Sequence, residues 1–465
     1  MKRIISAIIT ACIICGTVPT MESWAPNTLI TADAADTVAS GTCGDSAKWS
    51  LNSLGTLYVT GTGSTENYGV SSASYKSSDM SDIKIEFYNS VPPWYEYRDE
   101  IKKIAVGGGI TYLGSGAFAG LTNVTSVSLP DGLDTINSNV FELCLGLTSV
   151  DIPDTVSFIG GYVFDDCRNL SSLDLGSGVT MLGTGALRNC QALSSIDLPA
   201  SLDQIGDGAF SVCTSLEAIN VDSNNQYFKS ISGVLVNKDV TEVIAYPAGK
   251  TAGSCTVPNT VETIADMAFA CNRYLRTVKL QSPLKTIGEE AFIECINLTS
   301  ITIPESVTTI GDYAFYFCSE LEEVVLPKSL ESLGAGAFYF CEALQMVVVQ
   351  NPDCIIGDGY TRTLYLFDDD DSVVGYKGST AQEYAEDFEC NFDLIRNKGD
   401  VNADSQADSS DAALILQHYA KAQSDGNGTL TYYTKKYIAD YNSDGSVDSS
   451  DAAMLLKYYA ENQAK

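Results

Sequence analysis

Between about residues 110 and 354, one arrangement of apolar and polar positions recurs every 23 residues. A large apolar anchor falls at Phe118, Phe141, Phe164, Leu187 and Phe210, and again at Phe269, Phe292, Phe315 and Phe338, each preceded by Ala or Val. The fullest copy reads Ala291-Phe-Ile-Glu-Cys295-Ile-Asn-Leu298-Thr-Ser-Ile301-Thr-Ile303-Pro304. Its alternating Ile-x-Ile end predicts a short strand with its apolar side inward. The Ala-Phe-x-x-Cys start predicts a short helical turn on another wall of the same coil. A single coil cannot bury its own apolar face, so coils must stack. Roughly ten coils spaced by ~4.8 Å make a rod of about 45–50 Å. The expected fold class is therefore α/β: a solenoid of parallel strands and short helical turns.

The repeat is interrupted once. Phe210 and Phe269 are separated by 59 residues, one period plus 36. Within the extra segment, about 227–262, two alternating apolar runs flank Asn237-Lys-Asp, which predicts a β-hairpin. Such an insertion either decorates a binding face or is a spacer without contacts. The repeat itself has leucine-rich-repeat spacing and resembles the BspA-type (Treponema pallidum-like) family. Cys43-Gly-Asp, Trp49-Ser-Leu, Gly55-Thr-Leu-Tyr-Val and Pro92-Pro-Trp94-Tyr resemble that family's N-terminal cap. Gly375-Tyr-Lys-Gly378-Ser-Thr-Ala381-Gln-Glu-Tyr384-Ala resembles its closing segment. The resemblance implies a secreted or surface binding protein and leaves the partner open.

After about residue 397 the pattern changes to two copies of an acidic loop, offset by 40 residues, each followed by a helix-forming run. Oxygen-bearing side chains occupy loop positions 1, 3, 5, 9 and 12: Asp400, Asn402, Asp404, Asp408 and Asp411, then Asp440, Asn442, Asp444, Asp448 and Asp451. Position 7, at Gln406 and Ser446, offers a backbone carbonyl. This is the ligand spacing of an EF-hand loop, because a hard divalent cation needs six to eight oxygens at once. Two Ca2+ ions are expected. Position 12 is Asp in place of the usual Glu, and residues 390–399 offer no preceding helix. Position 6 is Ser405 in the first loop and Gly445 in the second. The sharp turn there favours Gly, so the first site is expected to bind calcium more weakly.

Gly399-Asp400-Val401-Asn402, Asp408-Ser-Ser-Asp411-Ala-Ala and Asp448-Ser-Ser-Asp451-Ala-Ala resemble the type I dockerin of cellulosomes, a small all-α calcium-binding domain. The resemblance implies docking to a cohesin domain of a scaffoldin. It places the cohesin contacts at Ser409, Ser410, Leu416, Gln417 and Lys421 in the first copy, and at Ser449, Ser450, Leu456, Lys457 and Glu461 in the second. The paired serines suggest docking in two orientations; Gln417 against Lys457 and Lys421 against Glu461 break that symmetry. Only about a dozen residues separate the closing segment from the first loop, so the dockerin is expected to sit close against the solenoid.

Composition narrows the function classes. Of the 465 residues, 27 are Lys or Arg and 59 are Asp or Glu, a net charge of −32. Such a surface repels nucleic acid and anionic lipid. Met-Lys2-Arg3, the apolar run Ile4 to Cys15 and Ala32-Asp-Ala34-Ala35 read as a secretory signal peptide; Ile9-Thr10-Ala11-Cys12 also looks like a lipobox. No later stretch is apolar enough for a transmembrane helix. The expected division is 1–35 signal peptide, 36–109 cap, 110–354 repeats with an insertion at 227–262, 355–396 closing segment, and 397–465 dockerin.

Seven of the 14 Cys share one repeat position, and Cys271 is shifted from it by one. Equivalent side chains in a ladder point the same way, so buried free thiols are expected over disulfides. The single His, His418, lies in the first dockerin helix, which rules out His-dependent triads in the solenoid. There is no P-loop and no Gly-x-Ser-x-Gly elbow. Asp368 to Asp371, beside Tyr365 and Phe367, reads as a solvated turn before it reads as a catalytic or calcium site. Trp94-Tyr-Glu-Tyr97 and Tyr313, Tyr316 and Tyr339 are candidates for sugar stacking or protein contact, or for core and cap packing.

The resulting expectation is a secreted, non-catalytic, cellulosome-associated protein that presents a repeat surface to a plant cell-wall polysaccharide or a cell-surface protein. The alternatives are a dockerin-bearing polysaccharide-degrading enzyme with an unrecognised carboxylate site, or a regulator of neighbouring enzymes.

Overall fold

The structure, a computed structural model, describes residues 35–76, 81–88, 90–357, 372–388, 390–425, 428–430 and 433–463. The candidate signal peptide up to residue 34 and the Asp368 to Asp371 run lie outside the described residues.

Each 23-residue unit forms one coil with three walls. The first wall is the alternating strand. Ser149–Asp151 pairs in parallel with Ser172–Asp174, with Val150 opposite Leu173 one period on. In Ser149–Asp151 the centre is buried and both flanks are exposed, which is what apolar-in, polar-out alternation demands. The second wall is a two-residue strand that the periodicity did not announce: Thr135–Ile136 pairs with Phe158–Ile159, which pairs with Met181–Leu182. The third wall holds the Phe anchors. It is built of i to i+3 hydrogen-bonded turns, as in Cys144 N donating to Phe141 O at 3.1 Å.

On this third wall two residues of each regular coil, four apart, have positive φ, as at Tyr162 (56°) and Asp166 (57°) and at Tyr313 (53°) and Phe317 (61°). Non-Gly residues rarely adopt this conformation. Here it accompanies alternate N–H groups that run along the rod axis, so that Phe118, Phe141 and Phe164 each donate to a carbonyl of the next coil at 2.8–2.9 Å. The rings stack inside. Phe269, Phe292, Phe315 and Phe338 follow one another at 4.7–5.2 Å, with interplanar angles of 16° or less. The N-terminal end is closed by Trp94, fully buried and stacked on Phe118 at 5.6 Å.

The cysteine positions form a second ladder. Among the described residues every Cys is a free thiol. Cys144, Cys167, Cys295 and Cys318 each donate Sγ–H to the carbonyl of the Phe 26 residues earlier, at 3.1–3.3 Å. Burial pushes the Cys295 thiol up to about 12, so it stays protonated and serves as a small apolar donor.

The predicted hairpin is present: Val234–Asn237 pairs antiparallel with Glu242–Ala245. A further strand, Phe228–Ile231, extends it, and Glu242–Ala245 hands over in parallel to Thr263–Ile264. Beyond the repeats, Ser372–Gly375 and Asn391–Leu394 prolong the outer strand wall, with helix Thr380–Asp387 between them, N-capped by Ser379.

Candidate calcium loops and docking face

The chain leaves Asn391–Leu394 directly into the first acidic loop, with no helix between, as expected. Helix Ser409–Asp425 follows that loop and helix Ser449–Gln463 follows the second. A six-residue helical segment, Thr434–Ala439, precedes the second loop; the sequence pattern did not indicate it.

The two loops fold alike. Asp400 accepts the N–H groups of Asp404 and Ser405, both at 3.1 Å, and Asp440 accepts those of Asp444 and Gly445 at 3.1 and 3.0 Å. Asp411 accepts from Asn402 N and Asp408 N, and Asp451 from Asn442 N and Asp448 N, at 2.8–3.0 Å. The turn residue at position 6 has positive φ in both loops, 72° at Ser405 and 87° at Gly445.

These four carboxylates suit a cation. Asp400, Asp411, Asp440 and Asp451 are all buried, and among the described residues none has a Lys or Arg ion pair. Buried charges ordinarily have an opposite charge or a metal beside them. Burial, with help from Asp411 and Asp404, raises the Asp400 pKa from its ordinary value. The donor set is entirely hard oxygen, and each carboxylate oxygen holding an N–H keeps a second lone pair. As the loops stand, no three His, Cys, Asp or Glu side chains converge on one point among the described residues.

Position 9 carries a second task. Asp408 Oδ1 accepts both the N–H and the hydroxyl of Ser410 at 2.7 Å, which makes it the N-cap of the following helix and holds its pKa down. The Ser410 hydroxyl also accepts from Asn402 Nδ2 at 2.9 Å, and Ser450 does the same with Asn442. A ligand-position side chain is thus tied to a serine on the outer face.

All ten residues expected to contact cohesin are exposed: Ser409, Ser410, Leu416, Gln417, Lys421, Ser449, Ser450, Leu456, Lys457 and Glu461. The two copies are not equal around them. His418 is buried, with Nδ1 accepting from Thr429 N and Leu430 N, whereas Tyr458 at the matching position is exposed. Accepting two N–H groups requires a neutral imidazole, and burial together with Lys435 lowers the His418 pKa accordingly.

The dockerin-like segment is packed onto the outer strand wall at the C-terminal end of the rod. Met346, Val348 and Val374 of that wall share an apolar cluster with Tyr433, Ile438, Ile415 and Leu455. Arg396 joins Asp393, Thr434 and the Val401 carbonyl, while Glu323 on the strand wall receives Lys436 and Tyr437. The close seating expected from the short linker is present.

Of the aromatic candidates, Trp94 is core, while Tyr313, Tyr316 and Tyr339 are half-buried in a group that also contains Phe317 and Phe340. Among the described residues, no helix is long and apolar enough to cross a membrane.

Comparison with known proteins agrees with this architecture. The family model for the BspA type leucine rich repeat region matches residues 93–217 and 248–360, in six copies. The dockerin type I domain model matches residues 398–460. A leucine-rich repeat protein from Eubacterium ventriosum is similar in structure: 26% identity, TM-score 0.59, covering 73% of this chain and 85% of that one. The pneumococcal vaccine antigen PcpA shares the fold, with 19% identity, TM-score 0.53, covering 77% of this chain and 99% of its own. No curated protein matches. Dockerin type I domains typically bind calcium, are cellulosome components and imply a cohesin partner. With its repeat model matching half of its length, the chain belongs to the BspA-type leucine-rich-repeat family and carries a C-terminal type I dockerin domain.

Proposed function

We propose that this chain is a secreted, non-catalytic cellulosome component. Its dockerin binds two calcium ions, docks onto a scaffoldin cohesin, and holds the solenoid out to a polysaccharide or protein ligand. The observation that carries the reading is the pair of alike acidic loops, each with two buried carboxylates and an exposed serine tied to a ligand position. Calcium bound by Asp400, Asn402, Asp404, Gln406 O, Asp408 and Asp411, and by their counterparts Asp440, Asn442, Asp444, Ser446 O, Asp448 and Asp451, supplies the positive charge these carboxylates lack. The chain's own contribution is to keep the loops folded through Asp400 and Asp411 and to orient Ser410 and Ser450 outward.

Exposed Leu416 and Leu456 provide the apolar part of the docking face, and Gln417, Lys421, Lys457 and Glu461 its polar rim. The dockerin's seat on the strand wall supports a fixed angle between scaffoldin and solenoid. Binding of the full chain to immobilised cohesin domains, with calcium and with EDTA, tests the reading. Calcium-dependent capture is expected; equal capture in EDTA sinks the docking mechanism. Release of sugar from mixed plant polysaccharides by the purified chain would move it to the enzyme class.

A further inference from the structure

The outward-facing residues of the strand wall change character along the rod. In Ser172–Asp174, Thr277–Lys279 and Ser300–Thr302 both outward positions are polar and exposed. Two periods after Ser300 and Thr302 the same positions carry Met346 and Val348, and the strand Met346–Val349 is buried on both faces. Val374, paired with Val348 from the next strand, is fully buried as well. A strand wall with one face in water alternates apolar and polar residues, so these three outward residues require a cover.

The dockerin is that cover, and the acidic loops themselves take part in it. Met346, Val348 and Val374 share one apolar cluster with Val401, at position 2 of the first loop. Ala407 and Val447, at position 8 of the first and second loops, pack against the same cluster. A polar tie runs alongside. Arg396, with its side chain only 9% exposed, donates to the Val401 carbonyl and to the Thr434 hydroxyl, both at 2.7 Å, and pairs with Asp393 on the strand Asn391–Leu394. Gly399 N donates to Ile438 O at 3.0 Å, which bonds the residue before Asp400 to a residue two before Asp440. The entries of both loops are held against each other and against the wall.

We infer that the strand wall and the calcium sites form one thermodynamic unit: Met346, Val348, Val374 and Arg396 are positioning residues for calcium, and calcium in turn stabilises the last strands of the solenoid. Each loop gathers two buried carboxylates, Asp400 with Asp411 and Asp440 with Asp451. Their repulsion opens the loops when no cation is bound, because buried like charges are costly. Opening withdraws Val401, Ala407 and Val447 from the cluster and uncovers the apolar residues of the wall. The reverse follows by linkage: a wall that holds the loops closed without the metal has already met part of the cost of ordering them, so it tightens calcium. The inference rests on the reading of the acidic loops as calcium sites and adds the solenoid to the residues that set their affinity.

Calorimetric calcium titration of the full chain, paired with hydrogen exchange read by mass spectrometry, tests it. The double variant Met346→Ser, Val348→Thr copies the outward residues of Ser300–Thr302, which the repeat already accommodates. Arg396→Gln removes the polar tie. Neither variant touches a loop ligand, and each should weaken calcium about five-fold or more. A seat with a merely structural role would lower the melting temperature and leave calcium affinity where it was. In the unmodified chain, calcium should slow exchange at 346–349 by about five-fold or more and leave Ser149–Asp151, far along the rod, unchanged. That second readout needs no variant, and protection of Ser149–Asp151 reports that each variant's solenoid is folded. Calcium affinity that neither variant changes overturns the inference, as does exchange at 346–349 that does not respond to calcium. An unmodified chain that binds no calcium overturns the calcium reading, and this inference with it.

Discussion

The Tyr437 hydroxyl donates a 2.6 Å hydrogen bond to Glu323 Oε2, joining the helical segment before the second acidic loop to the outer strand wall of the solenoid. Lys436 reaches the same carboxylate oxygen, with its side chain 41% exposed. The exposed ion pair contributes little, and the part-buried hydroxyl bond contributes more. In a denaturation double-mutant cycle, Glu323→Ala with Tyr437→Phe should show a coupling of about 0.5–1.5 kcal/mol. Additive effects would mean that the dockerin does not seat on the solenoid through this contact.

The aromatic ladder should dominate repeat stability. Phe292 is fully buried between Phe269 and Phe315, at 4.7 and 5.1 Å. Phe292→Ala should cost about 3–5 kcal/mol, read as a lower urea midpoint. A loss below about 1 kcal/mol would contradict a close-packed ring stack.

Calcium affinity should differ between the loops for a backbone reason. Ser405 holds φ at 72° where the second loop has Gly445. Ser405→Gly removes a side chain from a conformation that disfavours it, by about 1 kcal/mol, so the weaker calcium step should tighten about five-fold. Calorimetric calcium titration reads the two steps. An unchanged weaker step would show that ligand geometry, not turn strain, separates the sites.

Glu142 makes stability depend on pH. Burial first, then the Asp165 carboxylate, push it up to about 7 against an ordinary value of 4.5. The folded state therefore holds a proton that the unfolded state has already released between these values. The stabilisation is complete below about 4.5 and is lost as pH rises through about 7. Glu142→Gln, which stays neutral, should flatten the stability profile across that window by up to about 3 kcal/mol. A profile that keeps its slope in the variant would assign the pH dependence to other groups.

The solenoid was legible because its signal is repeated: nine anchors in one register set the strand side, the ring stack and the thiol ladder together. The two acidic loops and the helices after them were legible because their pattern is local, contained in a few consecutive residues. The second, two-residue strand wall was not, since Thr135–Ile136 is too short to show alternation and exists only through its neighbours in the stack. The helical segment Thr434–Ala439 was missed for a similar reason: its Ile438 and Ala439, with Tyr433 just before it, are buried in the cluster that Met346, Val348 and Val374 join.

What the chain determines by itself is therefore everything carried by spacing: the coil, its core and the order of oxygen-bearing side chains along the two acidic loops. Tertiary structure alone decided which exposed positions meet. It set the dockerin on the strand wall, buried His418 while leaving its counterpart Tyr458 open, and left the Gly208, Phe210 and Val212 N–H groups without an acceptor among the described residues. Those outcomes depend on contacts between segments far apart in the chain, for which no local pattern exists.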